Sequence, residues 1–243
     1  MIESLVSVVG QRGGDAAAFL LAFALTALTD SLFHNKLPHD HGREFAVNGG
    51  LSKGKARGSG LIFVLCIALV SLAFLPFRVE YVIYTVLLIA SMLSGYFDDA
   101  AEKAWNEYKK GILDLLLAVA VAVTFLFYND HTATLVIADF TFGIHPVVFG
   151  ILTVILVWTS INVTNCTDGV DGLSATLTSI TLLTLVAVDV IRNGADGFNF
   201  STLMFVATLF AYLWFNANPS SLMMGDAGSR AMGMVIALAA LKT

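Results

Sequence analysis

Residues 147–173, VVFGILTVILVWTSINVTNCTDGVDGL, carry a long apolar run, a short polar turn and the first residue of a second apolar run. The apolar part is close to the length of about 20 residues that an α-helix needs to cross a bilayer. The polar part, 162–172, holds two asparagines, two aspartates and two glycines, and it has no basic residue. This stretch predicts two membrane helices joined by a turn that holds polar groups at the membrane edge.

The composition of the whole chain is that of a membrane protein. Of its 243 residues, 57% are hydrophobic and 13% are charged, whereas an ordinary soluble domain has about 25% charged residues. Cys66 lies in an apolar run and Cys166 in the polar turn, so we expect two unpaired thiols. The N-terminus lacks the basic start and cleavage site of a signal peptide, and the first membrane helix is expected to direct insertion.

The hydrophobic pattern predicts an all-α polytopic membrane protein, with residues 1–243 forming a single transmembrane domain built as a multi-helix bundle. The predicted spans lie at about 16–33, 61–77, 79–97, 111–128, 147–163, 173–191 and 201–215, with an incomplete eighth at 231–243. We therefore expect C-terminal spans to be missing from this sequence. Alternating apolar residues near 133–143 predict a short hairpin in an outer loop.

The basic residues fall mainly on one side of the predicted bundle. Nine of the 13 lysines and arginines lie in the connections 34–60, 98–110, 164–172 and 216–230. The positive-inside rule makes these connections cytoplasmic and places the N-terminus outside. The dense polar clusters lie in the same connections, so we expect one active site assembled from several cytoplasmic loops.

Asp98 and Asp99 directly follow the third predicted span. Adjacent carboxylates at a membrane edge repel each other and lose hydration, so they need a cation, which a divalent metal or a lysine can supply. The alternative is a solvated helix cap with both acids in water, and the pair alone does not decide between the two interpretations.

The side chains of Asn162, Asn165, Asp168 and Asp171 recur every three residues, which places them on one side of a turn or helix end. Amides together with carboxylates match the donor and acceptor groups of a nucleotide base and of ribose hydroxyls. The alternative interpretation is an Asn- and Asp-rich cap and turn that holds no ligand. Four polar side chains exceed what capping requires, and this favours a functional role.

Two glycine-containing segments complete the polar set. GDAGS, 225–229, is interpreted as a small-residue turn whose backbone N–H groups and Asp226 approach a phosphate and its metal. SKGKARGSG, 52–60, is a basic loop suited to phosphate, or alternatively only a topology determinant that contacts anionic lipid. Carboxylates, amides and a basic loop on one face predict an anionic, phosphorylated ligand with Mg²⁺ between the charges, and no nucleic-acid partner is expected.

These motifs, in this order, resemble those of the polyprenyl-phosphate N-acetylhexosamine-1-phosphate transferases. They are Asp98-Asp99, Asn162-x-x-Asn165-x-x-Asp168-Gly-Val-Asp171-Gly-Leu, Trp214-Phe215-Asn216 with Pro219, and Gly225-Asp226-Ala-Gly-Ser. The resemblance covers the chain from about residue 20, and within the superfamily it is strongest to the phospho-N-acetylmuramoyl-pentapeptide transferases. It implies a Mg²⁺-dependent transfer of phospho-MurNAc-pentapeptide from UDP-MurNAc-pentapeptide to undecaprenyl phosphate, which gives lipid I and UMP in peptidoglycan biosynthesis. A bacterial cytoplasmic-membrane location and a homodimer are further implications of the resemblance.

The resemblance also implies roles for individual residues. Asp226 matches the magnesium-binding aspartate, and Asp98 and Asp99 match an acidic pair of which one member would deprotonate the lipid phosphate. The positions that match the substrate pocket are one of Lys53 and Lys55, together with Asn162, Asn165, Asp168, Gly169, Val170, Asp171, Asn216 and Met223.

The sequence departs from the family pattern in three places. Glu102 stands where the family usually has a lysine, and Lys103 follows it. Met223 stands where an aromatic residue is expected to stack on the uracil, although a thioether can also cover a base. The family's histidine-rich loop and final spans do not occur in this sequence.

Three rival functions need to be separated from this one, and the first, a purely structural membrane subunit, does not explain the density of carboxylates. A sister transferase would move GlcNAc-1-phosphate from UDP-GlcNAc, and exchanging the sugar nucleotide in an assay distinguishes it. An ion-coupled transporter would hold its acids near the bilayer midplane, whereas the acids of this chain are predicted to lie at one membrane edge.

Overall fold

The computed structural model describes residues 2–40, 53–75, 77–101, 103, 105–130, 132–135 and 140–243. Its helices are α1 Ile2–Phe33, α2 Gly60–Phe74, α3 Val79–Asp99, α4 Glu107–Tyr128, α5 Pro146–Thr167, α6 Leu173–Asn193, α7 Gly197–Asn216 and α8 Gly225–Lys242. Six segments of this described part are long and apolar enough to cross a membrane: 13–36, which runs from α1 through the short 3-10 helix His34–Lys36, and α3 to α7. The predicted all-α polytopic fold class is therefore confirmed.

The strands of the described part are short and form two pairs. They are β1 Ala56–Arg57, β2 Thr132–Leu135, β3 Phe140–Gly143 and β4 Leu222–Met223. β2 and β3 pair antiparallel, which confirms the hairpin predicted near 133–143. β1 and β4 pair in parallel, with Ala56 opposite Leu222 and Arg57 opposite Met223. The sequence did not predict this second pair, because a two-residue strand has no periodicity to detect.

Helix α8 lies at the centre of the bundle and contacts α2, α3, α5, α6 and α7. Segment 225–229, interpreted above as a turn ahead of the last span, is the first turn of α8 itself. Most of α8 is buried from this first turn to its last, so its small residues face protein on nearly all sides. A helix buried on all sides does not need the apolar surface of a lipid-facing span, which explains why the pattern of hydrophobic residues placed its start too late.

Glycines bring the neighbouring helices close to α8. A Cβ atom on Gly60 of α2 would collide with the backbone at Gly228, and one on Gly95 of α3 would collide with the backbone at Asp226. A Cβ on Gly233 would collide with the backbone of α5. Only residues without a side chain allow approaches of this kind, and they set the position of the first turn of α8 between α2 and α3.

Side-chain networks tie the bundle at both ends. At one end, Lys242 of α8 lies 2.6 Å from Glu80 Oε1 of α3, and Asn129 after α4 donates to the same oxygen at 2.7 Å. The other end gathers the last turn of α3, the first turns of α4 and α8, and the β1–β4 pair. The polar clusters predicted to share one face therefore do meet at one end of the bundle.

Candidate active site

The last turn of α3 carries the acidic pair, and Asp98 is paired with a lysine of α4. Lys110 Nζ lies 2.6 Å from Asp98 Oδ2, and the backbone N–H of Trp105 donates to Asp98 Oδ1 at 2.7 Å. Asp98 is buried, so an unpaired charge there would be costly. The cation that the acidic pair needs is supplied at Asp98 by Lys110, while Lys103 is exposed.

Asp99 is paired with the basic loop. Arg57 Nη2 lies 2.7 Å from Asp99 Oδ1 as an ion pair without hydrogen-bond alignment, and the Asp99 side chain is fully buried. Asp99 Oδ2 also accepts a hydrogen bond from the backbone N–H of Ala227 at 3.4 Å. The solvated-cap interpretation is therefore wrong for this pair, because both carboxylates are buried against cations.

Arg57 connects three carboxylates of different elements. Besides Asp99, its guanidinium contacts Asp226 Oδ1 through Nη2 and Asp40 Oδ1 through Nη1, each at 3.3 Å. The pairing of β1 with β4 fixes the backbone of Arg57 next to Met223, three residues before Asp226. Burial would lower the pKa of Arg57, but Asp99, Asp226 and Asp40 outweigh it and raise the pKa, so the guanidinium stays charged.

Asp226 lies in the first turn of α8 and contacts both cations. Its Oδ1 faces Arg57, and its Oδ2 lies 3.4 Å from Lys110 Nζ. Burial would raise the pKa of Asp226, but Lys110 and Arg57 outweigh it and lower the pKa. The positive end of the α8 dipole acts in the same direction. Asp226 is therefore ionised at neutral pH and is the most exposed of the three acids, at 14%.

The turn between α5 and α6 faces the same end of the bundle. Asn165 Nδ2 donates to Ser229 Oγ of α8 at 2.9 Å. Lys55 Nζ donates to Ser220 Oγ at 2.7 Å and lies 3.4 Å from Asp171 Oδ2. Of the two candidate lysines, it is thus Lys55 that joins the predicted nucleotide cluster.

Asn216 holds together two of the segments around the site. Its Oδ1 accepts from the backbone N–H of Gly172 at 2.8 Å, and its Nδ2 donates to the carbonyl of Leu222 at 2.8 Å. Gly172 is the N-cap of α6 and has no side chain, so the N-terminus of α6 takes this partner from α7. Both polar groups of the buried Asn216 side chain are thus occupied within the protein.

The remaining predicted pocket residues belong to the end of α5, the turn after it, the basic loop and β4. Asn162 is half-buried, and its Nδ2 donates to the carbonyl of Trp158 in its own helix at 2.8 Å. The positions that are exposed or half-buried are Lys53, Asp168, Gly169, Val170 and Met223.

Two cations of the site were not singled out from the sequence. Lys110 opens an apolar helix, where basic residues commonly act as topology signals, and Arg57 shares its loop with two lysines. A signal did exist, since Asp98, Asp99 and Asp226 at a membrane edge need nearby cations. Sequence alone did not say which of the 13 basic residues would supply them.

Comparisons with known proteins place the sequence in a family. The family model "Glycosyl transferase family 4" matches residues 81–243, which include all three acids. The chain is 38% identical over 226 residues to the phospho-N-acetylmuramoyl-pentapeptide-transferase of Treponema pallidum subsp. pallidum, with 84% of this chain and 61% of that protein covered. It is 32% identical over 257 aligned positions to the protein of the same name from Wolinella succinogenes, with 93% and 72% covered. The chain thus spans about three fifths of the length of the Treponema relative.

Proposed function

Because the chain belongs to glycosyl transferase family 4, we propose that it transfers phospho-MurNAc-pentapeptide from UDP-MurNAc-pentapeptide to undecaprenyl phosphate, giving lipid I and UMP. The observation that carries the proposal is the meeting of Asp98, Asp99 and Asp226 with Arg57 and Lys110 at one end of a membrane bundle. The names of the relatives support the choice of the muramoyl-pentapeptide substrate.

In the proposed reaction, an oxygen of the lipid phosphate attacks the β-phosphorus of the sugar nucleotide. The bond between that phosphorus and the bridging oxygen breaks, and UMP leaves with the electron pair. Phosphoryl transfer depends mainly on positioning and on electrostatic stabilisation. The Arg57 and Lys110 side chains are 25% and 19% exposed, so they are the cations that phosphate groups would meet.

We propose that Asp98 and Asp99 act first as positioning groups for these cations. Asp98 holds Lys110, and Asp99 holds Arg57, from the buried side of each cation. One of the two acids would also accept the proton of the lipid phosphate. This demand is small, because the second pKa of a phosphate monoester is about 6 and the lipid phosphate is mostly dianionic at neutral pH.

The donor atoms around Asp226 fit Mg²⁺. They are hard carboxylate oxygens, and Asp226 is ionised and partly exposed. Within the described residues no three Asp, Glu, His or Cys side chains form a complete metal site. Mg²⁺ bound to nucleotides uses one or two carboxylates together with phosphate oxygens, so Asp226 would hold it with the substrate. When bound, the ion would neutralise charge on the departing UMP.

The nucleotide would lie over the turn between α5 and α6. Lys55, Asp171 and Asn165 present one ammonium, one carboxylate and one amide there, a set that matches base and ribose groups. Met223, half-buried on β4, would cover the uracil. We propose that Asn216 shapes this pocket rather than contacting the substrate, because both of its polar groups are already bonded.

The proposal extends to the membrane setting. The protein is a multi-pass membrane protein of bacterial type, and we propose that the end with Asp226 faces the cytoplasm, with the N-terminus outside. The excess of basic residues in the connections at that end supports this orientation. A homodimer is part of the proposal.

Release of UMP tests the proposed function. The chain, in lipid nanodiscs with undecaprenyl phosphate and Mg²⁺, should release UMP from UDP-MurNAc-pentapeptide and much less from UDP-GlcNAc. Asp226→Asn should abolish most of the release without changing folding. Asp130→Asn, an exposed carboxylate after α4, is the matched control and should be fully active. Release from UDP-GlcNAc alone, or none from either nucleotide by folded protein, would contradict the proposal.

A further inference from the structure

A second ion pair lies one helical turn below the site. Arg230 Nη2 of α8 lies 3.2 Å from Asp114 Oδ2 of α4, and Arg230 Nη1 donates to Ser94 Oγ of α3 at 2.9 Å. The Arg230 and Asp114 side chains are 3% and 1% exposed, so neither contacts a substrate. Neither residue was among the candidate site residues.

The charged residues of this pair lie one helical turn from two charged residues of the site. Lys110 and Asp114 are four residues apart on α4, and Asp226 and Arg230 are four residues apart on α8. Residues at this spacing lie on the same face of a helix. In the site, the cation Lys110 of α4 contacts the acid Asp226 of α8 at 3.4 Å. One turn further along, which we call the lower pair, the acid Asp114 is on α4 and the cation Arg230 is on α8.

Stability does not explain the lower pair. A buried ion pair loses about as much hydration energy as it gains from attraction, and apolar residues of similar volume often stabilise a protein equally well. Charged residues inside a membrane bundle are costly as well, and they commonly mark function. The geometry supplies another explanation, since two contacts fix the rotation of α4 and α8 relative to each other where a single contact would not.

We propose that Arg230 and Asp114 are positioning residues that hold Asp226 and Lys110 in register for catalysis. The Arg230 guanidinium is bonded to both α3 and α4, so it fixes α8 against the two helices that carry the other charges of the site. The effect on kcat rests on the proposed function, whereas the acylation rate of Lys110 can be measured without turnover.

The test replaces both charges at once. Arg230→Met with Asp114→Leu leaves no unpaired charge, so the double variant should fold with an unchanged or higher unfolding temperature. Its kcat for UMP release should fall about 10- to 100-fold, because misplacement by about 1 Å costs about that much, while KM for the sugar nucleotide changes little. Arg230→Lys keeps the charge and should retain more activity than the double variant.

The far end of the bundle offers a matched control. Glu80→Leu with Lys242→Met removes an ion pair that joins α3 and α8 at 2.6 Å, far from the site. This control should keep kcat. If it loses kcat as severely as the Arg230 and Asp114 double variant, the effect is general weakening of the bundle and the positioning role is refuted. A double variant with wild-type kcat refutes it as well.

A chemical readout keeps the proposal testable without turnover. Acylation of Lys110 by an amine-reactive ester, followed by mass spectrometry, should be faster in the double variant, because the contact with Asp226 is weakened and Asp98 then holds the ammonium from one side only. The control pair should leave the acylation rate of Lys110 unchanged. If wild-type protein releases no UMP, the proposed function fails, but an unchanged acylation rate in the double variant would still be needed to overturn the positioning role.

Discussion

Gly95→Ala is the substitution that most directly tests the close contact between α3 and the first turn of α8. A Cβ atom at position 95 would overlap the carbonyl group of Asp226 and the backbone nitrogen of Ala227. Both are backbone atoms at a helix start, and they cannot rotate away as a side chain would. We therefore expect α8 or α3 to shift, and Asp226 to shift with it.

The size of the effect follows from two opposing contributions. Forcing a methyl group into a packed interface costs about 1–3 kcal/mol, and alanine regains up to about 1 kcal/mol over glycine in a helix. The net loss in the free energy of unfolding should be about 1–2 kcal/mol. Turnover should fall further, by about 100-fold, because a displacement of about 1 Å in a reacting group has that effect.

Gly111→Ala is the matched control, since Gly111 lies in α4 and a Cβ atom there meets nothing within 4 Å. This variant should be as stable as the wild type or more stable, with unchanged UMP release. The assay compares thermal unfolding in nanodiscs and UMP release per folded molecule for both variants. Equal stability and equal turnover of Gly95→Ala and Gly111→Ala would refute the packing argument.

Three further substitutions separate the roles of the polar groups. Lys110→Met leaves Asp98 buried without its cation, which costs about 3–5 kcal/mol for a fully buried pair and less here because Lys110 is partly exposed. The unfolding temperature and kcat should both fall, and adding Asp98→Asn should restore stability but not kcat. Asn216→Ala leaves two backbone groups without partners and should cost about 2–4 kcal/mol in thermal unfolding. Lys55→Met breaks a partly exposed pair with Asp171, so stability should change by less than about 1 kcal/mol, while KM for the sugar nucleotide should rise in steady-state assays.

The fold class was predictable because membrane spans leave a strong pattern in the sequence. Long apolar runs with polar connections indicate helices without reference to tertiary structure, and the match to the transferase family confirms the resemblance read from the ordered motifs. Helix α8 shows the limit of this signal. Its glycines and alanines pack against protein, so its start at Gly225 depends on contacts that hydropathy does not record.

The acids of the site were predictable, whereas their partners were not. Asp98, Asp99 and Asp226 stand in recognisable motifs at membrane edges, and the alternation of the predicted spans placed them on one face. Arg57 reaches two of them only because β1 pairs with β4, a contact between segments about 165 residues apart. Pairing over that distance depends on the assembled bundle and has no local sequence signal.

The charge of the site leads to a last prediction, on metal removal. Among the residues that the structure describes, Asp98, Asp99 and Asp226 share the cations Arg57 and Lys110. With these five groups ionised, the negative charges exceed the positive ones by about one, and like charges disfavour one another at close range even in a partly hydrated site. A pyrophosphate is also anionic, so the sugar nucleotide should bind weakly until a divalent cation offsets the carboxylates.

Removal of Mg²⁺ with EDTA should therefore raise the Kd of UDP-MurNAc-pentapeptide at least about tenfold, equivalent to about 1.4 kcal/mol. Asp226→Asn removes one negative charge and the proposed metal ligand together, so its Kd should depend much less on Mg²⁺, whereas Asp130→Asn should behave as the wild type. Isothermal titration calorimetry measures the three proteins with and without EDTA. An identical Kd for the wild type under both conditions would mean that Arg57 and Lys110 suffice to bind the pyrophosphate, and that Asp226 acts in the site through these two cations rather than through a metal.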